Sequence, residues 1–329
     1  MTTINDIAQM AGVSRTTVSR FLNSNGYVSQ EARERIEQII SETGYMPSQS
    51  AKSLRTKKTG VIGIILPKIS TETSSRVVSG INKVMKKKGM QILLTDTELD
   101  PDKEIEYLRL LKSRQADGII LLATNIGERL QKEIEALPIP VVALGQEVPG
   151  IPSLTYADYD ASSDMMQLLV GKDHKKIGFI GVSKTDPAVG SIRQKAYIDV
   201  MERQGLEVNE SWMAEGDFSI ESGYEAMKQI ITSNRSEIPS AVFCVTDRMA
   251  TGAMEYLKEQ GFRVPEDIAV AGIGDAVMSK YITPSLTTVD YYNEEAGEAI
   301  GEMLLATMEG KNYNKKMMHK YRLIKRDSV

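Results

Sequence analysis

Arg15, Thr16, Thr17 and Arg20 stand close together near the start of this sequence, behind Ser14 and ahead of Asn23. Their chemistry suits reading a duplex. An arginine fork can pair with both acceptors of a guanine edge, and a threonine with a base edge or a thymine methyl. The hydroxyls and amides of Thr17, Asn23, Tyr27 and Ser29 suit phosphate oxygens, contacts that position a protein without specifying sequence. A second set of polar residues is spread over the rest of the chain, at or near the ends of apolar runs. Lys68, Ser70, Thr124 and Gln146 come first, then Tyr156 and Asp158. Asp186, Arg193, Thr246, Asp247, Asp275 and Tyr291 follow. In open α/β sheets such positions face a ligand beyond the carboxyl ends of the strands.

The first set needs a small helical scaffold. Thr3-Ile4-Asn5-Asp6 fits a capping box, with Thr3 as N-cap. Ile4, Ile7, Ala8 and Ala11 make one apolar edge, Gly12 suits a tight turn, and Ser14 can cap a second helix, Arg15 to Leu22. Val18, Phe21 and Leu22 would face inward, against Ala32, Ile36, Ile39 and Ile40 of a third helix from Glu31 to Thr43. A helix-turn-helix lays the N-terminal residues of its second helix in the major groove. The spacing also fits a three-helix module that binds protein. Charge favours DNA. The chain carries −4 overall, but residues 1–59 hold eight Lys/Arg against five Asp/Glu, a surplus of three, so the remainder carries −7. A basic head on an acidic body is expected where only the head meets phosphates.

The second set needs parallel sheets. Continuous apolar runs at Val61–Leu66, Gln91–Thr95, Gly118–Leu122 and Pro140–Leu144 alternate with amphipathic stretches at 74–88, 102–113 and 128–137. The pattern returns after about Asp158, with runs at Lys176–Gly181, Ser240–Val245 and Ile268–Gly272. Such alternation predicts α/β architecture, two parallel sheets covered by helices, in two lobes with a cleft between them. Lys86-Lys87-Lys88-Gly89 reads as a helix C-terminus with a glycine cap, rather than as a nucleic-acid patch.

Composition excludes other classes. With 41% hydrophobic and 26% charged residues among 329, wholesale disorder is out. One cysteine, Cys244, permits no internal disulfide, and with only His174 and His319 besides, no zinc cluster of the usual ligands forms. No apolar stretch approaches the ~18 residues of a spanning helix, and the N-terminus lacks a signal core. The expected location is the cytoplasm, with no membrane partner. No nucleophile elbow, phosphate-binding loop or dinucleotide fingerprint occurs, so no catalytic residue, metal or cofactor is assigned. An exported sugar-binding protein with the same body is disfavoured by the basic head.

The run Thr3-Ile-Asn-Asp-Ile-Ala-Gln-Met-Ala-Gly-Val-Ser-Arg-Thr-Thr-Val-Ser-Arg-Phe-Leu-Asn23 resembles the N-terminal signature of the lactose-repressor family of bacterial transcription regulators. The similarity continues through Gly44–Pro47, Ala51–Arg55, Thr246–Ala253, Val264–Gly272 and Pro284–Val289. The resemblance implies a helix-turn-helix domain at 1–46 and a hinge at 47–59. It implies an N-lobe at 60–157 with about 288–316, and a C-lobe at 158–287 with about 317–329. It also implies a homodimer on a pseudo-palindromic operator. Ser48 to Leu54 is too short to be a stable helix alone, and Ala51 and Leu54 are its apolar edge. The family implies that it folds when two copies pair on DNA, with Leu54 as a minor-groove wedge and Ser48 capping where many members have asparagine.

The resemblance is nearest to sucrose- and trehalose-operon repressors. Arg193 matches a family position that holds a ligand hydroxyl or charge. Where free-sugar binders of the family often carry two successive aspartates, this chain has Gly272-Ile273-Gly274-Asp275, one carboxylate fewer. With Lys68 and Arg193 as cations, the expected effector is a sugar or sugar phosphate of the sucrose 6-phosphate or trehalose 6-phosphate type. A co-repressed member, or a global carbon-catabolite regulator that responds to a phosphoprotein, stays open.

Overall fold

The computed structural model describes residues 2–22, 25–45, 58–234, 237–311 and 316–329. They form two compact units that divide between Thr59 and Gly60.

The first unit is three helices. α1 (Ile4–Ala11) starts at the expected capping box: Asp6 N–H donates to the Thr3 hydroxyl at 3.3 Å, and Thr3 N–H to the Asp6 carboxylate at 2.7 Å. Gly12 ends it at φ 62°, where glycine carries no Cβ penalty. α2 (Arg15–Leu22) begins after Ser14, whose hydroxyl accepts Thr17 N–H at 3.1 Å. α3 (Gln30–Thr43) starts one residue earlier than expected because Ser29 is its cap, accepting Ala32 N–H. Ile7, Ala8, Ala11, Val18 and Ile36 are the buried core, with Phe21, Leu22, Ile39 and Ile40 packed around it.

The second unit has two lobes. The sheet of the first runs β11-β5-β4-β3-β1-β2, all parallel, from β1 (Val61–Leu66), β2 (Gln91–Asp96), β3 (Gly118–Leu122), β4 (Val141–Gly145), β5 (Ser153–Tyr156) and β11 (Lys316–His319). Its helices are α4 (Glu72–Lys87), α5 (Pro101–Ser113), α6 (Glu128–Glu135) and α11 (Asn293–Met308). α4 ends in the expected cationic turn, with Gly89 at φ 65°.

The second sheet runs β7-β6-β8-β9, also parallel, from β6 (Ile177–Val182), β7 (Met213–Gly216), β8 (Ala241–Cys244) and β9 (Ala269–Ala271). α7 (Asp158–Gly171), α8 (Arg193–Arg203), α9 (Ile220–Ser233) and α10 (Asp247–Glu259) belong to this lobe. β10 (Thr288–Asp290) and β12 (Arg322–Ile324) pair antiparallel beside it.

The chain crosses between lobes at other points than the sequence suggests. Val289 lies in the second lobe's core, and Asp275 N–H donates to the Thr288 hydroxyl, so 288–290 stay with the second lobe instead of opening the return to the first. Lys316–His319 pairs with β5 and Met317 packs on the first lobe's core, so that return runs to 319 rather than 316. The crossings are 156–158, 290–293 and 319–322.

Candidate functional site

In the head, α2 turns Val18 inward and leaves Arg15, Thr16 and Arg20 exposed. Among the described residues neither arginine has an ion pair, so both forks are free for a partner. Thr17 is half-buried and its hydroxyl lies 2.9 Å from that of Ser14. Arg20's stem packs over Gly26, where an added Cβ would sit 3.4 Å from its Cδ. Tyr27 is 86% exposed and Ser29 is exposed beside it, so the turn before α3 presents hydroxyls to solvent. Asn23, Ser48, Ala51 and Leu54, with hinge residues 47–57, lie outside the described residues.

In the body a cleft of about 230 Å³ opens at the carboxyl ends of both sheets. The turn after β1 brings Lys68, that after β3 Thr124, and that after β4 Gln146. From the second lobe come Asp186 after β6, Phe218 after β7, and Thr246, Asp247 and Arg248 after β8. Tyr156, Asp158, Tyr291 and Asn293 reach it from two of the crossings.

A buried ion pair forms part of its lining. Arg193 Nε and Nη2 donate to Asp158 Oδ1 at 2.8 and 2.6 Å, and Nη1 donates to the Val245 carbonyl. Tyr291 adds its hydroxyl to the same Asp158 oxygen at 2.9 Å, and its ring centroid lies 5.5 Å from the guanidinium carbon. The Tyr156 ring stands 4.9 Å from that of Tyr291, and its hydroxyl donates to Asn293. Burial acts against the Arg193 charge, but Asp158 and Tyr291 outweigh it and hold the guanidinium above its usual range. Burial pushes the Tyr291 phenol well up, and the Asp158 charge adds to it.

Asp186 and Arg193 bracket a π-helical turn, Pro187–Ile192, of the kind frequent at functional sites. Gly190 is required there, since a Cβ would sit 2.1 Å from the Ser183 carbonyl oxygen. Burial raises the Asp186 carboxyl, opposed by Val189 N–H. Gln146 of the first lobe donates to Asp186 of the second at 3.4 Å.

Residues 3–48 match the profile described as bacterial regulatory proteins, lacI family, and residues 166–329 that of a periplasmic binding protein-like domain. The chain is 32% identical to catabolite control protein A of Priestia megaterium over 289 residues, 87% of this chain and 86% of that one. This chain belongs to the LacI family. It is 31% identical to the HTH-type transcriptional regulator RegA of Clostridium saccharobutylicum, over 100% of this chain and 99% of that one. It is 30% identical to the HTH-type transcriptional repressor PurR of Mannheimia succiniciproducens, over 95% and 93%. Among solved structures, the Lac repressor bound to ONPG in its repressed state superposes at a TM-score of 0.91, with 25% identity over 100% of this chain and 99% of that one. The Lac repressor dimer bound to operator and the anti-inducer ONPF gives 0.90 at 25% identity, over 99% and 98%. The chain is a LacI-family DNA-binding transcriptional regulator. Among the described residues no helix is long and apolar enough to cross a membrane.

For this LacI-family chain the cleft gathers most of the expected effector residues but not all. Ser70 is exposed and outside the lining. Asp275 is buried away from it, paired with Arg326 and with Lys280. Asp247 lines the cleft, yet its carboxylate is taken by Thr288, Ser279 and Ala276 N–H. Burial lifts that carboxyl to about 6. Thr246 spends its hydroxyl on capping α10. Arg193, expected as a free cation, is neutralised by Asp158 and only 6% exposed. Glu72, Arg76, Phe218, Arg248 and Asn293 line the cleft without having been picked out. Only Arg248 carried a signal, as the neighbour of Asp247.

Proposed function

We propose that this regulator represses a sugar-utilisation operon as a homodimer on a pseudo-palindromic site. A sugar or sugar phosphate in the cleft, of the sucrose 6-phosphate or trehalose 6-phosphate type, releases it. The observation that carries the effector reading is the Asp158–Arg193 pair beside Tyr156 and Tyr291. A carboxylate that accepts and a guanidinium that donates suit neighbouring hydroxyls, and the two tyrosines add apolar surface beside them. Dimerisation is supported by β2, a sheet-edge strand whose Leu93 and Leu94 are 37% and 38% exposed. A two-fold protein matches a two-fold operator, and the similar Lac repressor binds operator as a dimer. In this reading residues 47–59 fold when two copies pair on DNA, with Ser48 as the cap, Ala51 and Leu54 as the apolar edge, and Leu54 as the minor-groove wedge.

The test is operator binding by fluorescence anisotropy, at fixed salt, with and without sucrose, trehalose and their 6-phosphates. An effector is expected to weaken binding about 100-fold, which needs roughly 2.7 kcal/mol of differential affinity between the two states. Arg15→Ala is expected to cost about 1–3 kcal/mol on operator and far less on random DNA. An equal loss on both sequences would make Arg15 a phosphate contact. A sugar that tightens binding would make the chain a co-repressed member. No response to any of the four would remove the sugar reading.

A further inference from the structure

The charges lining the cleft differ in whether they have partners. Arg193 is paired with Asp158, and Arg76 with Glu72 at 2.5 Å. Glu72 also accepts Val277 N–H, Asp186 accepts Val189 N–H, and Asp247 holds three bonds of its own. Every carboxylate of the lining is therefore committed, Asp186 and Asp247 to neutral donors alone. Two cations are not: Lys68, on the first lobe's turn after β1, and Arg248, the second residue of α10 on the second lobe. Among the described residues neither has an ion pair or a side-chain hydrogen bond. Lys68 acts electrostatically on Asp217, whose carboxylate accepts the N–H and hydroxyl of Ser219, without forming an ion pair with it.

We propose that Lys68 and Arg248, one from each lobe, hold the anionic group of the effector, a phosphate monoester, while Arg193 reads hydroxyls. The proposal rests on the cleft being the effector site. Its physical basis is that the Arg193 guanidinium is held by Asp158 and the Val245 carbonyl, whereas Lys68 and Arg248 keep their donors free for an anion in the same concave site. An arginine fork meets two phosphate oxygens and a lysine supplies a point charge. The two cations belong to different lobes, so a dianion that engages both joins the two walls of the cleft. Recognition of the ester and the relative position of the lobes are thereby linked.

The full-length protein, Lys68→Met and Arg248→Met are compared by calorimetry and thermal shift, with sucrose, sucrose 6-phosphate and inorganic phosphate as probes. Both side chains reach solvent, so both variants are expected to melt within a degree or two of the parent without ligand. Each variant is expected to lose at least tenfold in affinity for the ester, about 1.4 kcal/mol, and to keep its sucrose affinity within twofold. The stabilisation of the parent by inorganic phosphate is expected to vanish in both. If sucrose releases operator but neither ester nor phosphate is favoured over it, the anion site is wrong and the sugar reading stands. If the variants lose sugar and ester alike, or respond to phosphate like the parent, the assignment to these residues is wrong. If no probe changes melting or operator binding, both readings fall together.

Discussion

At the scale of single residues, a carboxyl behind the cleft wall is set apart by its chemistry. Glu104, in the first turn of α5, is 1% exposed; its Oε1 accepts the Thr124 hydroxyl at 3.3 Å, and its Oε2 has no partner. Burial lifts it to about 7, against the opposing pull of Thr124 and Asn125. The native state thus keeps a proton that the unfolded chain releases near 4.5, so stability falls as pH rises from about 4.5 through 7. Glu104→Gln keeps the shape and removes the ionisation. Relative to the parent it is expected to gain stability above pH 7, approaching about 3 kcal/mol at most. Asp247, lifted to about 6, acts in the same direction in both proteins, so the difference between them isolates Glu104. Urea unfolding at pH 5 and pH 8 checks this; a difference that does not grow with pH would mean that Glu104 ionises normally. Pairings of this kind are where sequence reading stops. The turns that carry Lys68, Thr124, Gln146 and Asp186 were legible because they follow apolar runs. That Arg193 is neutralised by Asp158, 35 residues earlier, is not written in either residue's neighbourhood.

At the scale of elements, both lobes rely on helices that meet backbone to backbone. α4 crosses α11 at Gly80, where a Cβ would lie 1.9 Å from the Glu294 carbonyl oxygen, and at Gly297, 2.1 Å from that of Val77. α9 and α10 repeat the device with Gly223, 2.1 Å from the Met249 oxygen, and Gly252, 1.9 Å from that of Ile220. Gly252→Ala must push α10 off α9, a displacement that costs about 1–3 kcal/mol as overpacking and should lower the melting temperature by several degrees. Gly171→Ala, at the end of α7 with no atom within 4 Å of the new Cβ, is the control and should melt at or slightly above the parent. Equal melting of all three proteins would show that the α9–α10 contact gives way easily. The same scale explains what the sequence reveals of the fold. β1, β3, β4, β6, β8 and β9 stand out as near-continuous apolar runs because helices cover both sheet faces, and β2 reads alike although Leu93 and Leu94 are exposed at the sheet edge. β5, β7, β10, β11 and β12 are three or four residues long and mixed in polarity, too short for a period to show. Missing β11 is what shifted the expected lobe crossing, since nothing in Lys316-Met-Met-His319 announces a strand of the first sheet.

At the scale of the whole molecule, the proposed repressor needs a second copy for thermodynamic reasons. One helix-turn-helix reads one half-site, and a single reading helix offers only a few base contacts. Joining two heads turns the second contact into an intramolecular event, at an effective concentration far above that of free protein, and raises affinity by about 10²–10⁴ without any new contact. The exposed leucines of β2 are the feature that a second copy would cover. Leu93→Lys with Leu94→Lys places two charges on that edge, and a desolvated lysine pair facing its own symmetry mate is strongly unfavourable. The double variant is expected to sediment as a monomer at micromolar concentration, with the parent's far-ultraviolet spectrum and sugar affinity. Its affinity for the full operator should fall at least 100-fold, towards that for a single half-site, on which parent and variant heads should be alike. A variant that still sediments as a dimer would move the interface away from β2. A monomeric variant that binds the full operator as tightly as the parent would mean that pairing contributes nothing to recognition, and a signal sensed in the body would then have no route to the operator through the spacing of two heads.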